Sequence, residues 1–145
     1  MRKAVVLSCF IFCALLLHAQ GLENVIPVPR ECELRDGVYK YDTLPKVRTK
    51  INRSSFASSE EYRLEISEKG VFITAASEAG LFYARQTLDQ MTSDGTIKEL
   101  RCCTIEDGPR FPYRGLHVDV SRHFRSVDFL KKQMDAMAFF KMNRM

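Results

Sequence analysis

Near the C-terminal end of this 145-residue sequence, Asp119-Val120-Ser121-Arg122-His123 places a carboxylate, a guanidinium and an imidazole within a single short run. Such groups can bind a polar substrate or move a proton. They close a segment in which Leu116, Val118 and Val120 alternate with His117 and Asp119, the period of a strand. A polar loop follows. Ser126 then stands where a helix cap belongs, with Asp128 in the first turn, and the spacing predicts a helix from Val127 to about Met142. Strand, loop and helix make one βα unit of a parallel α/β fold. In barrels of that type active sites form at the C-terminal ends of the strands. Asp119, Arg122 and His123 are therefore candidate site residues. A simpler role competes for each. An Asp-x-x-Arg pair at a strand end makes a structural ion pair, and His123 beside Phe124 makes a packed or supporting imidazole. His117 is expected to pack inward or at an interface, and the methionine-rich helix face of Val127, Leu130, Met134, Met137 and Ala138 to join a core.

The elements that precede this unit form a different kind of module. Val25-Ile26-Pro27-Val28-Pro29 is an extended lead-in, because each proline steers its predecessor away from helix. A turn is predicted at Asp36-Gly37, leading into a short strand over 38–41, and 52–59 reads as a loop. Tyr62, Leu64 and Ile66, then Val71, Ile73 and Ala75, alternate with polar neighbours across a short glycine-containing turn, as a half-buried β-hairpin does. Ser77 is a candidate N-cap. Leu81, Ala84, Leu88 and Met91 then fall on one helical stripe, and Ser93-Asp94-Gly95 ends the helix. A further strand is predicted over 97–105, closed by Asp107-Gly108-Pro109. The local pattern is thus α+β, a small antiparallel sheet with a covering helix, followed by a strand and helix that open a parallel α/β unit. A (β/α)8 barrel needs roughly 250 residues, so any barrel begun here is expected to be truncated at Met145.

Charge and cysteine usage exclude several classes. The formal net charge of +4 comes without a dense basic stripe, so no nucleic-acid partner is expected. Arg2 and Lys3 precede an uncharged apolar stretch from Ala4 to Leu17, and His18-Ala19-Gln20 offers a cleavage point. That is the layout of a secretory signal peptide, implying export to a periplasmic or extracellular space and no membrane span after cleavage. Cleavage would lower the net charge from +4 to +2 by removing Arg2 and Lys3. Cys32, Cys102 and Cys103 would remain, an odd set without CxxC spacing. Cys32 can oxidise with Cys102 or with Cys103, or all three can stay reduced; a bridge between vicinal Cys102 and Cys103 is strained. No metal or organic cofactor is expected.

Pro109-Arg110-Phe111-Pro112-Tyr113-Arg114-Gly115-Leu116-His117-Val118-Asp119-Val120-Ser121-Arg122-His123-Phe124 closely resembles the opening of the catalytic barrel in the β-N-acetylhexosaminidases of glycoside hydrolase family 20. Met137-Ala138-Phe139-Phe140-Lys141-Met142-Asn143-Arg144 is similar to the family's first barrel helix and the approach to its second strand. Upstream, 73–88 resembles the small α+β domain that precedes the barrel. After the signal peptide over 1–20, the resemblance implies the leading α+β domain over 21–108 and, over 109–145, the first strand and helix of an incomplete (β/α)8 barrel.

The same resemblance implies removal of terminal N-acetylhexosamine from a glycan or oligosaccharide, with no protein nucleophile, an exception to the usual two-carboxylate scheme. The substrate's own 2-acetamido oxygen attacks the anomeric carbon, an Asp orients that amide, and a Glu protonates the leaving oxygen. That Asp-Glu pair lies beyond the matched segment, so no catalytic residue is assigned and the isolated chain is expected to be inactive. Arg114 matches the family arginine that grips sugar hydroxyls, a task suited to a planar fork of donors that keeps its charge. Its alternative role is an ion pair with a carboxylate. The competing expectation for the whole chain is a non-catalytic glycan-binding or interaction module.

Overall fold

The structure is a computed structural model that describes residues 22, 25–93 and 98–145. The expected signal peptide over 1–20, the Asp94-Gly95 helix stop and the start of the last strand at Ile97 lie outside these residues. The elements are β1 Glu31–Lys40, β2 Val47–Ile51, a 3-10 turn Arg53–Ser55, β3 Tyr62–Ser67, β4 Gly70–Ala75, α1 Glu78–Thr92, β5 Glu99–Asp107 and α2 Val127–Phe139. The strands form one sheet in the order β1-β5-β3-β4-β2.

The hairpin period places the core. Leu64 lies opposite Ile73 on one side and Ile105 on the other. All three are fully buried, as are Tyr62, Ile66, Val71 and Ala75 on the same sheet face. Arg63 and Glu65 point the other way, as alternation requires. Onto the apolar face α1 lays Leu81, Ala84, Leu88 and Met91, each buried. Burying a side chain of Leu or Ile size contributes about 1.5–3 kcal/mol, so this stripe is what holds the helix down. Ser77 starts it as expected: its backbone is extended, and its Oγ accepts from the Ala79 N–H at 3.1 Å while donating to the Ser59 carbonyl at 2.6 Å. The helix comes close to the sheet at Gly80, where a Cβ would stand 2.5 Å from the Glu61 carbonyl oxygen.

Several expectations need correction. The sheet is mixed, not antiparallel: β2 runs parallel to β4, from Val47 opposite Val71 to Ile51 opposite Ala75. Every residue of β2 is exposed, and the strand forms the edge of the sheet beyond β4. The turn expected at Asp36-Gly37 is a bulge inside β1, where the register with β5 shifts between Leu34 and Val38. Gly37 has φ 102°, a conformation that glycine adopts without a Cβ clash.

The strand expected over 116–120 forms no ladder. Its segment contributes one parallel bridge, Gly115 to Arg144, with Leu116 N–H donating to the Arg144 carbonyl at 3.0 Å. A strand exists only where a neighbour pairs its backbone groups, and among the described residues the pairing stops at Leu116, with 117–120 in no ladder. Finally, α2 ends at Phe139 and not near Met142. Lys141 takes a left-handed conformation with φ 58°. Met142 N–H then donates to the Met137 carbonyl at 2.8 Å and Lys141 N–H to the Ala138 carbonyl at 3.0 Å, which together close the helix in a Schellman turn. Of the helix's expected inward face only Met137 is buried, while Val127 is 66% and Met134 49% exposed. His117 is exposed as well.

Candidate functional site

The left-handed turn at Lys141 decides where its side chain goes. A non-glycine residue in this conformation costs roughly 1–2 kcal/mol, and here it sends an ammonium group back under the sheet. Lys141 Nζ donates to Tyr62 Oη at 2.9 Å and to Asp107 Oδ2 at 3.0 Å. Tyr62 Oη donates to the same Asp107 oxygen at 2.8 Å and lies 2.6 Å from Thr87 Oγ1. One residue each from β3, β5 and α1 therefore meets the chain leaving α2. Burial pushes the Lys141 ammonium below its ordinary range, and the Asp107 carboxylate opposes that fall. Burial, with the Asp107 charge second, holds the Tyr62 hydroxyl well above its usual range.

A second polar knot sits beside the first. Arg114 Nη2 pairs with Glu60 Oε2 at 2.8 Å, Nε donates to the Lys141 carbonyl at 2.8 Å, and Nη1 donates to the Phe111 carbonyl at 2.7 Å. Its guanidinium carbon lies 5.3 Å from the centre of the Tyr83 ring, within cation–π range. Asn143 completes the knot. Its Oδ1 accepts from Arg114 N–H at 3.0 Å, while its Nδ2 donates to Glu60 Oε1 at 3.3 Å and to the Pro112 carbonyl at 2.9 Å. Tyr62, Tyr83, Asp107, Phe111, Arg114 and Lys141 all line a cavity of about 230 Å³ at this junction. Three of the five guanidinium N–H groups of Arg114 are used by these bonds.

The other candidates are placed elsewhere. Asp119 and Arg122 form an ion pair within one exposed loop, and Asp119 Oδ1 also accepts from Ser121 N–H at 2.9 Å and Arg122 N–H at 3.1 Å. These hydrogen bonds, Arg122's backbone first, hold the Asp119 carboxyl below its usual range. The pair braces its own turn. His123 is exposed on the same loop, and none of the three lines the cavity around Arg114. Sequence reasoning missed Glu60 and Lys141. A glutamate in a polar stretch and a lysine at the end of an amphipathic helix both look like solvated residues, and no periodicity marks them.

Two family models match the chain consecutively: "Glycosyl hydrolase family 20, domain 2" over residues 43–108 and "Glycosyl hydrolase family 20, catalytic domain" over residues 111–145. The chain belongs to glycoside hydrolase family 20. Among its relatives, this family 20 chain is 43% identical over 100 residues to a β-N-acetylhexosaminidase of Cellulomonas fimi, covering 67% of the chain and 20% of that protein. It is 34% identical over 130 residues to a β-hexosaminidase of Akkermansia muciniphila, covering 88% of the chain and 26% of that protein. A crystal structure of a β-N-acetylhexosaminidase superposes with a TM-score of 0.74 at 32% identity, over 83% of this chain and 25% of the other. An exo β-N-acetylglucosaminidase of Vibrio harveyi, in complex with N-acetylglucosamine, superposes with a TM-score of 0.71 at 28% identity, over 87% of this chain and 25% of the other. The family 20 chain thus spans about a fifth to a quarter of the length of these proteins.

Proposed function

We propose that this chain is the leading part of an exported β-N-acetylhexosaminidase that removes terminal N-acetylhexosamine from glycans by substrate-assisted, retaining catalysis. The observation that carries this is the order of the two family matches, the leading domain followed directly by the catalytic domain. The names of its relatives agree with it. On this reading residues 21–108 are the α+β domain and 109–145 begin a (β/α)8 barrel, with the parallel bridge from Gly115 to Arg144 as the first contact between its first two strands. Arg114 grips hydroxyls of the terminal sugar through N–H groups its present partners leave over. The orienting Asp and the acid Glu belong to the rest of the barrel and to no residue of this chain. No metal or cofactor takes part. Among the described residues no helix is long and apolar enough to cross a membrane.

The test is release of nitrophenol from a p-nitrophenyl N-acetylglucosaminide. An enzyme that joins this chain to a complete family barrel should turn the substrate over, and the 145-residue chain alone should match a mock preparation. Turnover by the isolated chain would overturn the assignment of acid and orienting groups to the missing part. Specific binding of chitin-type oligosaccharide by the isolated chain, with no turnover even in the joined enzyme, would favour the glycan-binding module.

A further inference from the structure

Cys32 and Cys103 lie on neighbouring antiparallel strands. Cys32 is opposite Ile105, and Leu34 is opposite Cys103. The two cysteines are therefore diagonal neighbours, and since residues two apart share a sheet face, both thiols project to the same side. Burial pushes the Cys32 thiol up, and the nearby Cys103 side chain opposes that rise. Cys102 is placed differently. Alternation sends it to the opposite face, across from the bulge in β1, where its sulfur stands 3.4 Å from the position of a Cβ on Gly37. All three thiols are free in this structure. Composition and spacing could not choose between Cys102 and Cys103 as the partner of Cys32; the strand register does.

We propose that Cys32 and Cys103 are an oxidisable pair that closes to an intrachain disulfide in an oxidising environment. Diagonal neighbours stand about 7–8 Å apart, just outside the roughly 4.4–6.8 Å between Cα atoms that a disulfide spans. Closure therefore draws the start of β1 toward β5 by about 1 Å. The strand has room for this, because β1 is the edge of the sheet and its residues 31–36 are exposed.

The chemistry balances with a low-molecular-weight disulfide as oxidant, such as oxidised glutathione. Cys32, the exposed partner, loses its proton to buffer, and its thiolate attacks one glutathione sulfur. A mixed disulfide forms and one glutathione thiolate leaves. The Cys103 thiolate then attacks the Cys32 sulfur and expels the second glutathione. Two protein thiols have given up two electrons and two protons, and one glutathione disulfide has become two thiols. Burial, with the neighbouring cysteines adding to it, pushes the Cys103 thiol up to about 12, so the second step is the slow one. The bond would tie the edge strand to its neighbour β5 one residue after Glu31, close to Arg30, whose guanidinium holds the Gly108 carbonyl at 3.2 Å and Glu61 at 2.9 Å.

The experiment treats the native full chain with oxidised glutathione, quenches it in acid, labels remaining thiols with N-ethylmaleimide and digests it with trypsin without reduction. Mass spectrometry should find peptide 31–35 joined to peptide 102–110, with fragment ions placing the bond on Cys103 and the maleimide on Cys102. The link should survive Cys102→Ala and vanish in Cys103→Ala. Fragment assignment in the unsubstituted chain makes the result independent of whether either variant folds. A link to Cys102, a stalled glutathione adduct on Cys32, or maleimide on both Cys32 and Cys103 after oxidation would each overturn the proposal.

Discussion

Lys141 Nζ lies 3.0 Å from Asp107 Oδ2, with 8% and 10% of the two side chains exposed, and the pair ties the chain beyond α2 to the last strand of the sheet. The ammonium reaches this site only because the backbone at Lys141 turns left-handed. A buried ion pair gives little net stability over an apolar substitute, but removing one partner leaves the other charge stranded at a cost of about 3–5 kcal/mol. Asp107→Asn should therefore destabilise the fold by that order, seen as a lower urea midpoint. Lys141→Met should cost less, because Asp107 keeps its hydrogen bond from Tyr62. Equal midpoints for Asp107→Asn and the unsubstituted chain would mean that the pair is not formed in solution.

Gln90 is a second tie across the same junction. Its buried amide accepts from Ile26 N–H at 2.7 Å and donates to the carbonyls of Ile26 at 2.8 Å and Phe139 at 2.6 Å. Leucine nearly fills the same space but satisfies none of the three. Gln90→Leu should destabilise by about 2–4 kcal/mol, the cost of orphaning backbone groups away from water. Amide exchange at Ile26 should speed up together with the loss in midpoint. A neutral substitution would show that water replaces the amide.

Stability should fall on the acid side through Glu61. Burial raises its carboxyl, but the hydrogen bonds from Arg30 and from the Ser58 and Ala57 backbone outweigh burial and hold it below the ordinary value of 4.5. The folded chain thus binds this proton less readily than the unfolded chain. Its stabilising contribution is complete above about pH 4.5 and is lost as pH falls through the lower folded value. Glu61→Gln should flatten the acid limb of a plot of urea midpoint against pH; unchanged slopes would assign that limb to other carboxylates.

Gly80→Ala sets two effects against each other. Alanine gains about 1 kcal/mol of helix propensity, while its Cβ would press to 2.5 Å on the Glu61 carbonyl, a backbone atom that also accepts from Ala76 N–H at 2.9 Å. Overpacking of this kind costs about 1–3 kcal/mol. We expect net destabilisation in thermal melts, and a raised melting temperature would show that α1 can shift away from the sheet.

Arg114 should matter for both folding and catalysis. In an enzyme with a complete barrel, Arg114→Ala should reduce kcat/KM by tenfold or more, because each lost charged hydrogen bond is worth about 1.5–3 kcal/mol. Arg114→Lys should recover little, since an ammonium cannot reproduce the planar fork. Glu60→Gln separates the two roles. It weakens the ion pair with Arg114 and should lower stability, while a specificity constant lost only in the Arg114 variants would mark the sugar contact.

Much of the fold was written locally. Period-2 burial over 62–75 and the helical stripe from Leu81 to Met91 depend only on which side of each element is apolar, and the structure buries those residues. Ser77 and Ser126 cap their helices because a hydroxyl there meets backbone donors two or three residues on. The motif from Pro109 to Phe124 carried the family likewise. Tertiary structure decided what local pattern cannot hold. The parallel pairing of β2 depends on β4, and the absence of a ladder at 116–120 depends on neighbours rather than propensity. Lys141 and Glu60 became partners of Asp107 and Arg114 because chain topology brings residues 34 and 54 positions apart to within hydrogen-bonding distance. Side-chain charge is a property of a residue, whereas what it faces is a property of the packed chain.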